Sequence, residues 1–434
     1  MRAVVFLLVS LLATPALGYE INTGQGGELH WDSTRDYADS DGRISFWMQY
    51  QGSEDVSFLW ESAVRRGFQA WADAPGADLH LFEQRIQTGP AAFHDATEDA
   101  TDKQATLFFV DEGWEFEESV IGLTITTFVS GGRIIDSDIG FNADLFAFTL
   151  GDEDVDTDFQ TIATHEIGHF FGIGHSEFDD ATMAEFYGGG TDGRVLHEDD
   201  IAAIEHQYPC GETCRSLVDW RAQDTGCAVA GGGAWMGFGA LLLLGGLLLR
   251  RRQARGAVVA LLLIGLSLPM SADSTVVERL AFDRLVDVSE RVVRAEVVDV
   301  EAIYRGHVWS RITLEVHEDL RGSGPRTVVL EQPGGLLDEP GPGGVIGSLA
   351  LGMPSFVPGE ETVLFLRANR VTGATWVTGL GQGKATLRDG RLKRDLSGLM
   401  LANMGRPVAP GIVAMPGDLA SLRAALSAPG APSP

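Results

Sequence analysis

His165-Glu166-Ile167-Gly168-His169-Phe170-Phe171-Gly172-Ile173-Gly174-His175 is the stretch from which the rest of this 434-residue chain is read. On a helix, His165 and His169 lie one turn apart on one face, so two imidazoles can converge on one cation. Glu166 adjoins the first of them, and a carboxylate beside a metal but not bound to it can take a proton from water and deliver it to a leaving amine. Gly172 admits a backbone conformation that a side chain resists, which lets the chain turn and bring His175 back toward the same point. Three neutral imidazoles and one water make an open tetrahedral zinc site. A bare pair of histidines with the intervening Glu is expected by chance in roughly one chain in twenty of this length. The glycine and third histidine reduce that by a further factor of about 400.

The eleven-residue pattern resembles that of the metzincin metallopeptidases. The likeness is strongest to the matrixin branch, because Ser176 follows the third His and Thr182-Met183 comes soon after. The resemblance covers residues 43–209 and implies an α+β fold, with a twisted mixed sheet and a zinc helix. It assigns His165, His169 and His175 to catalytic zinc and makes Glu166 the base that activates water for attack on a peptide carbonyl. It makes Met183 the methionine of a tight turn beneath the metal. Tyr187, four residues later, becomes part of the wall of the pocket for the residue after the scissile bond. The segments Gly190-Thr191-Asp192-Gly193-Arg194 and Asp199-Asp200-Ile201 resemble bacterial matrixins in particular.

In the matrixin pattern the region 122–142 holds the strand that borders the cleft and pairs with an extended substrate, with a structural zinc nearby. Here Ile125 and Ile134 stand at the approximate places of its histidines, so that second zinc is expected to be lost. Asp136 and Asp138 match acidic positions that bind calcium in relatives and are candidate Ca2+ ligands; alternating Asp on the wet face of a strand is the competing reading. The cysteine-containing prodomain motif of many matrixins is missing, since no cysteine precedes Cys210.

Local patterns agree with this order of elements. Residues 43–50 (RISFWMQY) have the composition of a strand, and Phe58, Ala63, Val64, Phe68 and Trp71 recur at helical spacing. Strands are expected at 78–83 and 105–110 and on both sides of Gly131-Gly132. The zinc helix is expected from about Asp158 to Phe171, burying Phe159, Ile162 and Ile167, with Thr157 and Gln160 as a capping box. A last helix opens at 196–201 and reaches Tyr208. His80, His197 and His206 are expected at or near the surface.

Residues 1–18 carry Arg2, an apolar run from Val4 to Leu12 and a small-residue ending, the form of a secretory signal peptide cleaved after Gly18. An extracytoplasmic, secreted or cell-surface location follows. It permits one disulfide among Cys210, Cys214 and Cys227, with the pairing open. Residues 19–229 hold about 42 acidic and about 10 basic side chains, more than the whole chain's net charge of −29. Such a surface repels phosphates and argues against a nucleic-acid partner.

Composition changes after residue 209. A Cys-containing, Gly-rich linker (210–230) leads to an apolar run at 231–249, long enough to cross roughly 30 Å of hydrocarbon. Arginines at 250–252 and 255 follow, marking residues 250–255 as a cytoplasmic turn. This region resembles the C-terminal sorting tags of myxobacterial surface proteins, except that the chain continues. A second apolar run, 256–272, has the form of a membrane span or of a signal peptide's core. The pair is therefore either an anchoring hairpin or a boundary at which the chain is processed. Residues 273–423 read as a short helix, Val276 to Val286, followed by strands of a small β-barrel or sandwich resembling an uncharacterised bacterial extracytoplasmic domain. His307 and His317 are expected at its surface, and 424–434 as a disordered tail.

The combined expectation is a secreted or membrane-tethered zinc endopeptidase with an accessory β domain, acting on polypeptides. The alternative is a surface adhesion or binding protein on a metzincin scaffold.

Overall fold

The computed structural model describes residues 18–24, 26–32, 43–49, 52–56, 59–84, 93, 104–152, 155, 157–211, 216–220, 275–338, 344–396, 398–402 and 414–427. The chain divides into a body made of Met1–Arg221 with Ser271–Pro434, and a second unit, Ala222–Met270, that lies wholly outside the described residues.

The first half of the body contains β1 (Tyr19–Ile21), β2 (Thr23–Gly24), β3 (Gly27–Glu28), β4 (Ile44–Met48), α1 (Trp60–Ala72), β5 (His80–Glu83), β6 (Thr106–Val110), β7 (Val120–Val129) and β8 (Arg133–Asn142). These are followed by α2 (Phe159–Phe170), β9 (Ile173–Ser176), β10 (Phe186–Tyr187), α3 (Glu198–Gln207) and β11 (Leu217–Asp219). The second half contains β12 (Thr275–Glu278), α4 (Phe282–Val288), β13 (Arg291–Arg305), β14 (His307–Arg321), β15 (Thr327–Pro333), β16 (Gly335–Asp338) and β17 (Val345–Ala350). It ends with β18 (Glu361–Ala368), β19 (Thr375–Val377), β20 (Lys384–Arg388), β21 (Arg391–Lys393), β22 (Leu399–Ala402) and α5 (Leu419–Leu426).

In the first half, β4 runs parallel to β5 and β6, β6 parallel to β8, and β7 antiparallel to β8, which gives the mixed sheet expected. α1 and α2 pack on it around Phe46, Trp60, Phe68, Trp71, Phe159, Phe170 and Phe171, all fully buried. Each such aromatic contributes about 1.5–3 kcal/mol by leaving water. Gly67 brings the two helices close, because a Cβ there would stand 2.8 Å from Ile167 Cδ1. The Trp71 indole N–H donates to the Thr164 carbonyl at 2.9 Å and fixes the helix pair in register.

In the second half, a long hairpin of β13 and β14 turns at Gly306, whose φ is +78°, and anchors a sheet in the order β15-β14-β13-β18-β20-β21, with β19 also on β18. One face carries Val363 and Phe365 under α4 and α5; the other buries Val293, Ala295, Leu314 and Leu364. This is a helix-covered antiparallel sheet rather than a barrel or sandwich.

Other expectations are corrected as well. Residues 275–278 are a strand, and the helix expected at Val276 begins only at Phe282, because the edge of β7 competes for that segment. The tail is helical to Leu426, since Leu419, Leu422 and Leu426 are buried. Ahead of β4, β1 pairs antiparallel with β9, and β2 pairs with β3. Cys210 is disulfide-bonded. No helix among the described residues is long and apolar enough to cross a membrane. Residues 1–17, the apolar runs 231–249 and 256–272, the turn 250–255, Cys214 and Cys227 lie outside the described residues.

Candidate metal centre and cleft

The helix that carries the first two histidines is held at its start by Asp158. Its carboxylate accepts the Thr161 N–H at 2.8 Å and pairs with the Arg194 guanidinium at 2.5 Å. The cap is therefore Asp158 and not the Thr157–Gln160 box; Gln160 Oε1 instead accepts from Arg66 Nε at 2.6 Å. A buried carboxylate at this end satisfies free N–H groups and faces the positive end of the helix dipole. After the helix, Gly172 takes φ +85°, with the Leu29 carbonyl oxygen 2.1 Å from where a Cβ would lie, so the reversal into β9 excludes any side chain.

β9 delivers His175 to the other two. The Nε2 atoms of His165 and His169 are 2.9 Å apart, and those of His165 and His175 are 3.3 Å apart. His165 Nδ1 donates to the Thr182 carbonyl at 2.8 Å and His169 Nδ1 to the Ile173 carbonyl at 2.9 Å. With Nδ1 protonated, each of these two rings turns an Nε2 lone pair toward the centre. Lone pairs this close repel unless a cation lies among them. A tetrahedral zinc with bonds of about 2.0–2.1 Å would set neighbouring nitrogens roughly 3.3 Å apart, so the residues fit the ion. Among the described residues, His165, His169 and His175 form the cluster of three metal-type ligands. Burial pushes His165 down to about 4, against the raising effect of the Thr182 carbonyl. Burial and then the neighbouring imidazoles hold His169 and His175 well below the ordinary value. All three are neutral at pH 7, the form a metal requires.

Glu166 is fully buried beside them. Thr124 Oγ1, on β7, donates to its Oε2 at 2.5 Å. Oε1 has no protein hydrogen-bond partner of ordinary length among the described residues. Burial pushes this carboxyl up to about 8, opposed by the Thr124 hydroxyl and by the backbone N–H of Val276 beside it. A cation on the histidines would add to that opposition and favour the carboxylate.

Met183 is buried against the helix that carries the first two histidines, and a Cβ on Gly168 would lie 2.3 Å from its sulfur. Its turn is held by Asp200, whose carboxylate accepts the N–H groups of Thr182, Met183 and His197 at 2.8, 3.0 and 2.7 Å. His197, expected at or near the surface, is partly exposed, and it caps α3 and is part of that arrangement. Tyr187 accepts the Asp158 N–H at 3.0 Å and donates to the Gly190 carbonyl at 2.9 Å, which ties β10 to the start of the zinc helix.

Asp136 and Asp138 are buried rather than on a wet face. Asp138 Oδ1 accepts the Thr106 N–H at 2.9 Å, and Oδ2 lies 3.6 Å from His307 Nε2. His307 is thus no surface residue: it is buried, with Nδ1 3.0 Å from Thr127 Oγ1. Motif reading missed Thr124, His307, Asp158 and Val276. Thr124 sits in an ordinary alternating strand, and the partners of His307 are 169 and 180 residues away, so nothing local marks either.

Residues 14–209 match the family model described as Matrixin. A metalloendoproteinase, 5-MMP, of Arabidopsis thaliana is 40% identical over 72 residues, 16% of this chain and 20% of that protein. Human matrix metalloproteinase-19 is 47% identical over 47 residues, 11% of this chain and 9% of the relative. Rat matrilysin is 34% identical over 154 residues, 35% of this chain and 51% of the relative. The chain spans about half the length, or less, of these curated relatives. In these matches, and in the geometry of its three converging histidines, the stretch 14–209 is similar to the Matrixin family.

Proposed function

We propose that the chain is a zinc-dependent endopeptidase hydrolysing peptide bonds in polypeptides. The observation that carries this reading is the convergence of three buried imidazoles beside a buried carboxylate. Zinc, when bound there, would polarise a peptide carbonyl and acidify water. Glu166 Oε1 would then accept a proton from the attacking water and return it to the departing amine. Thr124 fixes the carboxylate by holding Oε2. Tyr187 on β10 is proposed as part of the pocket for the residue after the scissile bond.

Calcium at Asp136 and Asp138 is a weaker proposal, because Asp138 already serves Thr106 and His307. Secretion, and anchoring through 231–249 and 256–272, are proposed from the sequence alone. A purely adhesive scaffold has no need of the ordered Glu166–Thr124 contact, which favours the enzyme over the binding protein.

The test is zinc content together with cleavage-site profiling on a peptide library. About one zinc per chain is expected, with chelator-sensitive cleavage that falls by about 10²–10⁴ in Glu166→Gln at unchanged zinc content. Equal cleavage by the variant contradicts the assignment of the base.

A further inference from the structure

The sheet of the matrixin-like half does not end at β7. β12 pairs antiparallel with the outer edge of β7 through Val276 with Gly122 and Val277 with Val120. β17 takes the rest of that edge, from Ile346 with Val129 to Ala350 with Ile125. β22 lies parallel to β12 on one side and to β10 on the other, and the Leu401 N–H donates to the Glu185 carbonyl at 2.8 Å. Two strands from the second half therefore fill the space between β7 and β10, placing those two strands three strand spacings, roughly 14 Å, apart.

This insert lies on the candidate centre itself. Val276, Val277 and Ala402 are completely buried, and the Val276 N–H stands beside the Glu166 carboxylate. Gly122, the β7 residue that Val276 pairs with, itself passes close to Glu166: a Cβ there would lie 2.9 Å from Oε1, so β12 is paired at the point where β7 crosses the carboxylate. Residues 275–278 thus take up the stretch of β7 edge beside Glu166 with which an extended peptide could otherwise pair.

The insert is also docked from outside the cleft. Arg370 pairs with Asp144 at 2.5 Å, and Arg367 pairs with Glu117 and, at 3.1 Å, with Glu118. Asn369 Nδ2 donates to the Trp114 and Phe116 carbonyls at 3.1 and 2.7 Å, and Trp309 stacks on Phe116. These arginines meet acidic side chains of the strongly acidic first half, so charge as well as strand pairing recruits the second half.

We infer that residues 275–402 act as a built-in inhibitor of the peptidase half, closing its centre by adding β12 and β22 as strands between β7 and β10. The inference rests on the peptidase reading for its biological meaning. Strand addition of this kind uses main-chain hydrogen bonds that any extended peptide could make, so the insert and a polypeptide substrate compete for one edge. An enzyme whose open form holds about 1–10% of the population shows apparent affinity and rate reduced about 10- to 100-fold.

The experiment uses the zinc-loaded full chain, a fluorescent peptide hydroxamate as active-site probe, and a fluorogenic peptide as substrate. Val276→Pro removes the N–H beside Glu166, while the separate double variant Arg367→Glu with Arg370→Glu breaks the outer clamp without touching the cleft. Both variants are expected to bind the hydroxamate at least about tenfold more tightly than the parent and to cleave correspondingly faster. Tight hydroxamate binding by the parent chain, equal to that of whichever variant retains its fold and zinc, overturns the inference. Tight binding by the parent overturns it even if neither variant folds. Tighter binding by the variants with no peptide cleaved would uphold closure and sink the peptidase reading. Equal cleavage by all forms, abolished by Glu166→Gln, would do the reverse.

Discussion

Thr124 and Gly168 do the least conspicuous work at the centre, and each supports a prediction. The Thr124 hydroxyl is a charge-assisted donor to Glu166, and losing such a bond in a buried site costs about 1.5–3 kcal/mol. Thr124→Val should therefore lower kcat about 10- to 100-fold while zinc content and KM stay near the parent values; steady-state kinetics with metal analysis check this. Gly168→Ala would drive a methyl into the Met183 sulfur and should lower stability by about 1–3 kcal/mol in denaturant unfolding. The convergence of His165, His169 and His175 was legible because their spacing is local: one helical turn and one glycine reversal place all three. Thr124 was not, because its role exists only once β7 crosses the zinc helix.

At the scale of elements, α2, which carries His165 and His169, depends on Asp158, which is buried, caps it and holds Arg194. Asp158→Ala removes the cap and strands a partly buried guanidinium, so it should cost about 2–4 kcal/mol in chemical denaturation. The choice between Thr157 and Asp158 as cap could not be made from adjacent residues that both favour that position; Arg194, 36 residues on, decides it.

The acid behaviour of the docking contacts follows from Asp144. Burial pushes its carboxyl up, but the Trp114 N–H and Arg370 outweigh that and hold it below its ordinary value of 3.8. A depressed folded value means that the contact stabilises docking above about pH 3.8 and is lost as pH falls through the lower folded value. Because the imidazoles also take up protons near pH 4, the contribution is read at neutral pH, where Asp144→Asn should remove it and tighten hydroxamate binding. Val276 to Val286 illustrates the opposite failure of legibility: its apolar spacing suits a helix, yet the unpaired edge of β7 takes residues 275–278 as a strand.

For the whole molecule, the acidic first half, its mixed sheet and its metal-type helix could be read in sequence because binary pattern and motif agree there. The attachment of the second half could not. It is made of pairings between residues more than a hundred positions apart, such as Val276 with Gly122 and Trp309 with Phe116, and His307 looks like a surface residue until Thr127 and Asp138 surround it. The account stands on three imidazoles sharing one ion, and zinc-edge X-ray absorption on the purified full chain measures that directly. It should show about one zinc per chain with three imidazole nitrogens at about 2.0–2.1 Å, and one fewer in His175→Ala. Absence of stoichiometric zinc, or a spectrum unchanged by that substitution, would contradict it.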